Sequence, residues 1–146
     1  MDRQKMIVIK RPQVGAGVVI IQHNKILLAK RKGSHGAGMW GSAGGHVEFG
    51  ERPSDTAKRE AYEELGIRIE MLQFLCCINY VIEDKHYLDI GFTAKIRSGI
   101  PTIQPKETDR IEVVDWFSLH KLPTPLFPPV TCYLKALNTG KIYFEL

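Results

Sequence analysis

The sequence predicts an α/β domain, on three observations. β-branched and apolar runs recur at 14–22, 25–30, 67–80, 86–96 and 112–116. Between the second and third lies a segment of helical spacing, with Ala57, Ala61 and Leu65 at i, i+4 and i+8. A second apolar helical segment, 130–137, comes near the end of the chain. Strands interleaved with helices in so short a chain pack as layers around one core. At 146 residues the expectation is a single domain over 1–146. A chain of that length buries about 68–70% of its unfolded surface, enough for a full core.

Taken in order, residues 6–9 suit a short strand or lead-in. Residues 14–22 are apolar on both faces, as in a central strand. His23-Asn24 is a turn, and 25–30 returns as the partner of a hairpin. Residues 31–44 hold five glycines and are expected to form a loop whose backbone N–H groups can approach a ligand. The helix then starts at Pro53, whose missing N–H would be unpaired there anyway. It stops at Gly66, a left-handed cap. Strands at 67–80 and 86–96 flank the charged turn Glu83-Asp84-Lys85. Residues 98–108 are a loop with Gly99, Pro101 and Pro105, followed by the strand at 112–116. Residues 118–122 suit a short helical turn. The four prolines of 123–129 exclude a regular helix there, and 141–146 forms a short strand or tail.

Composition narrows the class. A net charge of +4 suits a small polyanionic partner, a nucleotide before a nucleic acid. No run approaches the ~18 apolar residues of a membrane span. The N-terminus lacks the pattern of a signal peptide. Cys76, Cys77 and Cys132 are odd in number and lack zinc-ligand spacing. The expectation is a cytoplasmic protein with reduced thiols.

The helix is unusual on its second face. Glu60 and Glu64 are four residues apart, and Glu63 lies three from Glu60. At ~5 Å and an effective dielectric of ~20, each such pair repels by roughly 3 kcal/mol. Arg59, four residues before Glu63, neutralises only part of this. A hard divalent cation with oxygen ligands would relieve the rest. Lys30, Arg31 and Lys32 lead into the glycine segment with three positive charges, which fits a phosphate chain. Taken without their context, both clusters could be solvated surface, the basic one above all.

Their spacing decides between these readings. Gly45, Glu51, Arg59, Glu60, Ala61, Glu63, Glu64, Gly66 and Ile67 occupy the fixed positions of a frame running from 45 to 67. The frame resembles the Nudix box, G-x5-E-x7-R-E-U-x-E-E-x-G-U, where U is a bulky aliphatic and Ala61 is a small substitute. The segment from Lys30 to Glu51 is similar to the MutT-like, nucleoside-triphosphate branch of that family, with Ser42-Ala43 replacing its usual Leu-Pro. The resemblance implies the Nudix fold, a mixed β-sheet sandwiched between helices. It implies hydrolysis of a pyrophosphate bond, with Mg2+ or Mn2+ as cofactor. Glu60, Glu63 and Glu64 would hold metal, with a carbonyl from Gly44 or Gly45, and Arg59 would orient Glu63. Glu51 would brace the loop against the helix. Arg31, Lys32, Gly44 and His46 would contact substrate, and Glu107, Asp109 or neither would reach the metal cluster.

The branch favours a (d)NTP cut to the monophosphate and pyrophosphate, in sanitation of the nucleotide pool. ADP-ribose, nucleotide sugars and dinucleoside polyphosphates are the alternatives. ADP-ribose hydrolases of the family tend to carry a proline about sixteen residues past the box, where this chain has Glu83. Dinucleoside polyphosphate hydrolases tend to carry a tyrosine nearby, a position bracketed by Tyr80 and Tyr87. A regulator that binds without cutting usually lacks a box carboxylate, and all are present here. A homodimer is the expected assembly, because two-fold dimers are the commonest oligomers and relatives of this branch dimerise.

Overall fold

The computed structural model describes residues 9–33 and 35–146. The expected lead-in strand at 6–9 falls largely outside them. Eight strands form one mixed sheet: β1 Gln13–Gln22, β2 Lys25–Arg31, β3 Trp40–Gly41, β4 Ala43–His46, β5 Arg68–Ile82, β6 Lys85–Ser98, β7 Ile111–Ser118 and β8 Tyr143–Glu145. Among the described residues two α-helices accompany it, α1 Pro53–Leu65 and α2 Pro128–Thr139. The main strand order is β3-β2-β1-β6-β5-β8, with β4 also on β1 and β7 also on β2.

Strand β1 is central. It runs parallel to β6 from Gln13↔Tyr87 to Ile20↔Ala94. Its other edge is divided: Gly15–Val18 pair with β4, and Ile21–Gln22 pair with β2. The apolar run of β1 matches this position, with Val18, Val19 and Ile20 all buried. Their parity assigns them to opposite faces. Val18 and Ile20, with Leu27 and Ala29, pack in the cluster that contains Ala57, Ala61 and Leu65 of α1. Val19, with Ile26 and Leu28, packs in the cluster that contains Val130, Cys132, Tyr133 and Ala136 of α2. The sheet is therefore sandwiched between two helices, as expected.

Helix α1 has the predicted bounds. Pro53 stands at its first positions, and Gly66 caps it at φ 68°, donating its N–H to the Tyr62 carbonyl at 2.9 Å. Three local expectations need correction. Helix α2 begins at Pro128, not 130, because Pro128 and Pro129 occupy a first turn that needs no N–H donors. The end of the glycine segment is strand β4, not loop, because β1 supplies its hydrogen-bonding partner. Trp40–Gly41, in the same segment, form strand β3, not loop, because β2 supplies their partners. The turn expected after Ser118 is present, Lys121 donating its N–H to the Ser118 carbonyl at 3.0 Å. Among the described residues no helix is long and apolar enough to cross a membrane, and the three cysteines are free.

Candidate active site

Strand β4 lies against α1, and glycine makes the approach possible. A Cβ on Gly44 would come within 2.5 Å of the Ala16 carbonyl oxygen, and one on Gly45 within 2.4 Å of Glu60 Oε1. The closeness puts the backbone of the Gly-Gly pair directly beside the box carboxylates. The Gly44 N–H donates to Glu64 Oε1 at 3.4 Å.

Arg59 organises the carboxylates. Its Nε donates to Glu51 Oε2 at 2.8 Å and its Nη1 to Glu60 Oε1 at 2.9 Å and Glu63 Oε2 at 3.2 Å. Its Nη2 reaches the His46 carbonyl at 3.1 Å, tying α1 to β4. Glu51 also accepts from the buried Thr56 hydroxyl at 2.6 Å. The bond from Arg59, then that from Thr56, holds the Glu51 carboxyl down to about 2. Glu51 thus bridges the loop and the helix as a fully compensated carboxylate.

Glu64 is the opposite case. Burial, then a shared hydrogen bond with Glu60 and the charge of Glu60, push its carboxyl well above the usual range. Glu107 is also raised, by burial and by Glu60 among its acidic neighbours. These groups line a wide cleft of ≈ 740 Å³ together with Glu48, Arg59 and Asp109. Glu60 and Glu64 thus offer oxygen donors with more negative charge than the chain neutralises, which fits a hard divalent cation. Among the described residues, no three acidic, histidine or cysteine side chains stand together in ligand geometry. Glu63 is turned to Arg59, half-exposed, and is absent from the lining of the cleft.

The basic residues separate. Arg31 and Lys32 line the cleft, whereas Lys30 pairs with Glu112 at 3.8 Å. Simple alternation would put Lys32 with Lys30, but β2 ends at Arg31 and its register to β7 shifts there. The Arg31 guanidinium lies 4.1 Å from the Phe127 ring centroid, and its Nε donates to the His35 carbonyl at 3.1 Å. Burial lowers its pKa.

A second, smaller cavity of ≈ 160 Å³ adjoins the cleft and shares Arg31, Gly44, Gly45 and His46 with it. Its walls are aromatic. The His46 and Tyr87 rings stack with centroids 5.6 Å apart, and Tyr80 meets Phe127 edge-on at 5.9 Å. Asp89 also lines it, hydrogen-bonded by the Tyr133 hydroxyl. Burial raises the Asp89 carboxyl to about 6. Sequence reasoning missed Asp89, Phe127 and Tyr133 as site residues. Asp89 left one signal: it shares the parity of Tyr87 and Gly91 on its strand, a charge on an inward-facing row.

Acids on a capped helix thus stand beside a basic, glycine-lined cleft and an aromatic cavity. The chain belongs to the Nudix family: the NUDIX domain family model matches residues 11–136. It is similar to a MutT NUDIX hydrolase from Burkholderia pseudomallei, with a TM-score of 0.84 and 35% identity over 88% of this chain and 99% of that one. It is 32% identical over 108 residues to the oxidized purine nucleoside triphosphate hydrolase of Danio rerio, 73% of this chain and 66% of the zebrafish protein. It is 35% identical over 106 residues to the NAD-capped RNA hydrolase NudC of Pseudomonas aeruginosa, 73% of this chain and 36% of that protein.

Proposed function

We propose that this chain hydrolyses a pyrophosphate bond of a nucleoside triphosphate or related nucleoside diphosphate derivative, with a divalent cation, magnesium or manganese. The supporting observation is the Glu60–Glu64 pair, pressed against Gly44–Gly45 at the meeting of a basic cleft and an aromatic cavity. The relatives named for oxidized purine nucleoside triphosphates and for NAD-capped RNA agree with this class of bond. A bound divalent cation would neutralise phosphate oxygens and acidify water. Glu60 and Glu64 would hold it, with the Gly45 carbonyl alongside; Glu63 on the same helix and Glu107 or Asp109 in the cleft are further carboxylates for it.

The chain's own groups supply the remainder. Arg59 fixes Glu60 by direct hydrogen bond and fixes β4 through the His46 carbonyl. Arg31 and Lys32 bring positive charge to the phosphates. The stacked His46–Tyr87 wall accepts the flat face of a base. We place the whole chain in one catalytic domain, acting in the cytoplasm, where its three cysteines stay reduced, and as a homodimer.

The test is a release screen with magnesium over dNTPs, NTPs, 8-oxo-dGTP, ADP-ribose, NAD, dinucleoside polyphosphates and nucleotide sugars. Pyrophosphate or monophosphate product from at least one substrate is expected. Absence of turnover on all of them, with magnesium and with manganese, would reject the reading.

A further inference from the structure

Among the described residues Asp89 is the one carboxylate lining the aromatic cavity, and the sheet is shaped to hold it. Asp89 is the register partner of Gly15, and Gly91 is the partner of Gly17 on the same two strands. The paired glycines leave a slot in the sheet that the Tyr133 ring fills. A Cβ at Gly17 would come within 2.4 Å of the Tyr133 hydroxyl oxygen, and one at Gly91 within 2.5 Å of its Cε1. Seated there, the hydroxyl donates to Asp89 Oδ2. The other oxygen, Oδ1, lies over Gly15, 3.3 Å from where a Cβ would stand.

Tyr80 also lines the cavity, and its hydroxyl is buried with no hydrogen-bond partner among the described residues. That hydroxyl has almost no accessible surface, so Tyr80 offers the cavity an aromatic wall, and the acceptor there is Asp89. A carboxylate in that place matches a flat ring that carries an N–H on its edge. The aromatic walls suit that ring's faces.

We propose that Asp89 selects the base of the nucleotide: it accepts N–H groups from the ring edge, and Tyr133 is the positioning residue that aims the carboxylate. The inference rests on the nucleotide reading above and names the feature by which the site discriminates among nucleotides. A base with no N–H on that edge leaves the carboxylate unpaired against it, a loss that bulk and stacking do not replace.

The experiment is equilibrium binding of GMP, AMP and purine riboside 5′-monophosphate at pH 7.5 to the wild type, Asp89→Asn and Tyr133→Phe. Purine riboside 5′-monophosphate keeps the ring and the phosphate but has no N–H on the pyrimidine edge. The wild type is expected to bind the better of GMP and AMP at least about tenfold more tightly than purine riboside 5′-monophosphate, the gain from a charge-assisted hydrogen bond. In Asp89→Asn that ratio falls about tenfold. Tyr133→Phe lowers the ratio by a smaller factor. Equal affinities in the wild type, no binding of any of the three, or a uniform loss across all three in Asp89→Asn would overturn the inference. Magnesium-dependent hydrolysis of the corresponding triphosphates is measured alongside. Binding with the expected ratio but no cleavage refutes the hydrolase reading alone; cleavage with a ratio indifferent to Asp89 refutes this inference alone.

Discussion

On the α1 side of Gly44, Glu60 and Glu64 crowd each other with one weak backbone donor between Glu64 and its surroundings. In the aromatic cavity that shares Gly44 and Gly45, Asp89 stands as a single acid with a tyrosine hydroxyl already on one oxygen. Burial raises both carboxyls, but the causes differ. Glu64 is raised further by its neighbour's charge, whereas Asp89 has only burial against it and Tyr133 in its favour. An acid pair in a wide cleft calls for a cation. A single oriented acid in a narrow aromatic cavity calls for a neutral donor.

The largest effect should come from breaking the acid pair. Glu60→Gln and Glu64→Gln are each expected to lower magnesium-dependent turnover by about 10³-fold or more, since charge stabilisation by the ion is worth several kcal/mol. Both variants should stay folded, because removing one of two repelling charges relieves the folded state. Either one retaining a tenth of wild-type turnover would remove the pair from the mechanism.

The two glycines then separate fold from site. A Cβ at Gly44 meets fixed backbone at Ala16, whereas one at Gly45 meets the end of the Glu60 side chain. Gly44→Ala should therefore cost about 3 kcal/mol of stability, in the range of overpacked cores. Gly45→Ala should cost about 1 kcal/mol or less but displace Glu60, so that activity falls more than stability. Urea denaturation with parallel rate measurements checks this; the reverse order would mean that β4 is free to shift.

Arg31 and Lys30 offer a narrower contrast. Arg31 lies in both cavities, and Lys30 faces Glu112. Arg31→Ala is expected to lower kcat/KM about tenfold to a hundredfold, the worth of a charge-assisted hydrogen bond. Lys30→Ala should stay within about twofold, as exposed ion pairs contribute little. Steady-state kinetics at sub-saturating substrate decides it, and equal effects would make the basic cluster a diffuse field, not a contact.

Much of the acid cleft was legible because its signals are local. Pro53, Gly66 and the i, i+4 spacing define the helix, and the same spacing sets Glu60 beside Glu64. The aromatic cavity was not legible, because its parts meet only through long-range packing. Asp89 comes from β6, Tyr80 from β5, Phe127 from the stretch before α2, and Tyr133 from α2 itself. Strand β4 was hidden for a related reason. Ala43-Gly44-Gly45-His46 has little strand propensity, and what makes it a strand is the edge of β1 beside it. The outward turn of Glu63 toward Arg59 follows from local spacing, yet its absence from the cleft lining depends on how α1 is rotated against β4.

The smallest effect tests the single acid through pH. The Asp89 carboxyl titrates near 6 in the fold, above its ordinary 3.8. Between these values the folded state holds a proton that the unfolded state has released. Stability therefore falls as pH rises through this window and stays lower above pH 6. Two pKa units correspond to an upper bound of about 3 kcal/mol. Asp89 is only partly buried, and solvent screening reduces this to about 1–2 kcal/mol. Asparagine has no such titration and keeps an oxygen for the Tyr133 hydroxyl. Asp89→Asn should thus gain on the wild type by that amount between pH 4 and pH 7.5. Other carboxylates titrate in both proteins and cancel in the difference. Urea midpoints at the two pH values measure it. A difference that is flat with pH would mean that Asp89 is already compensated in the fold, and the contrast between the two cavities would then rest on geometry alone.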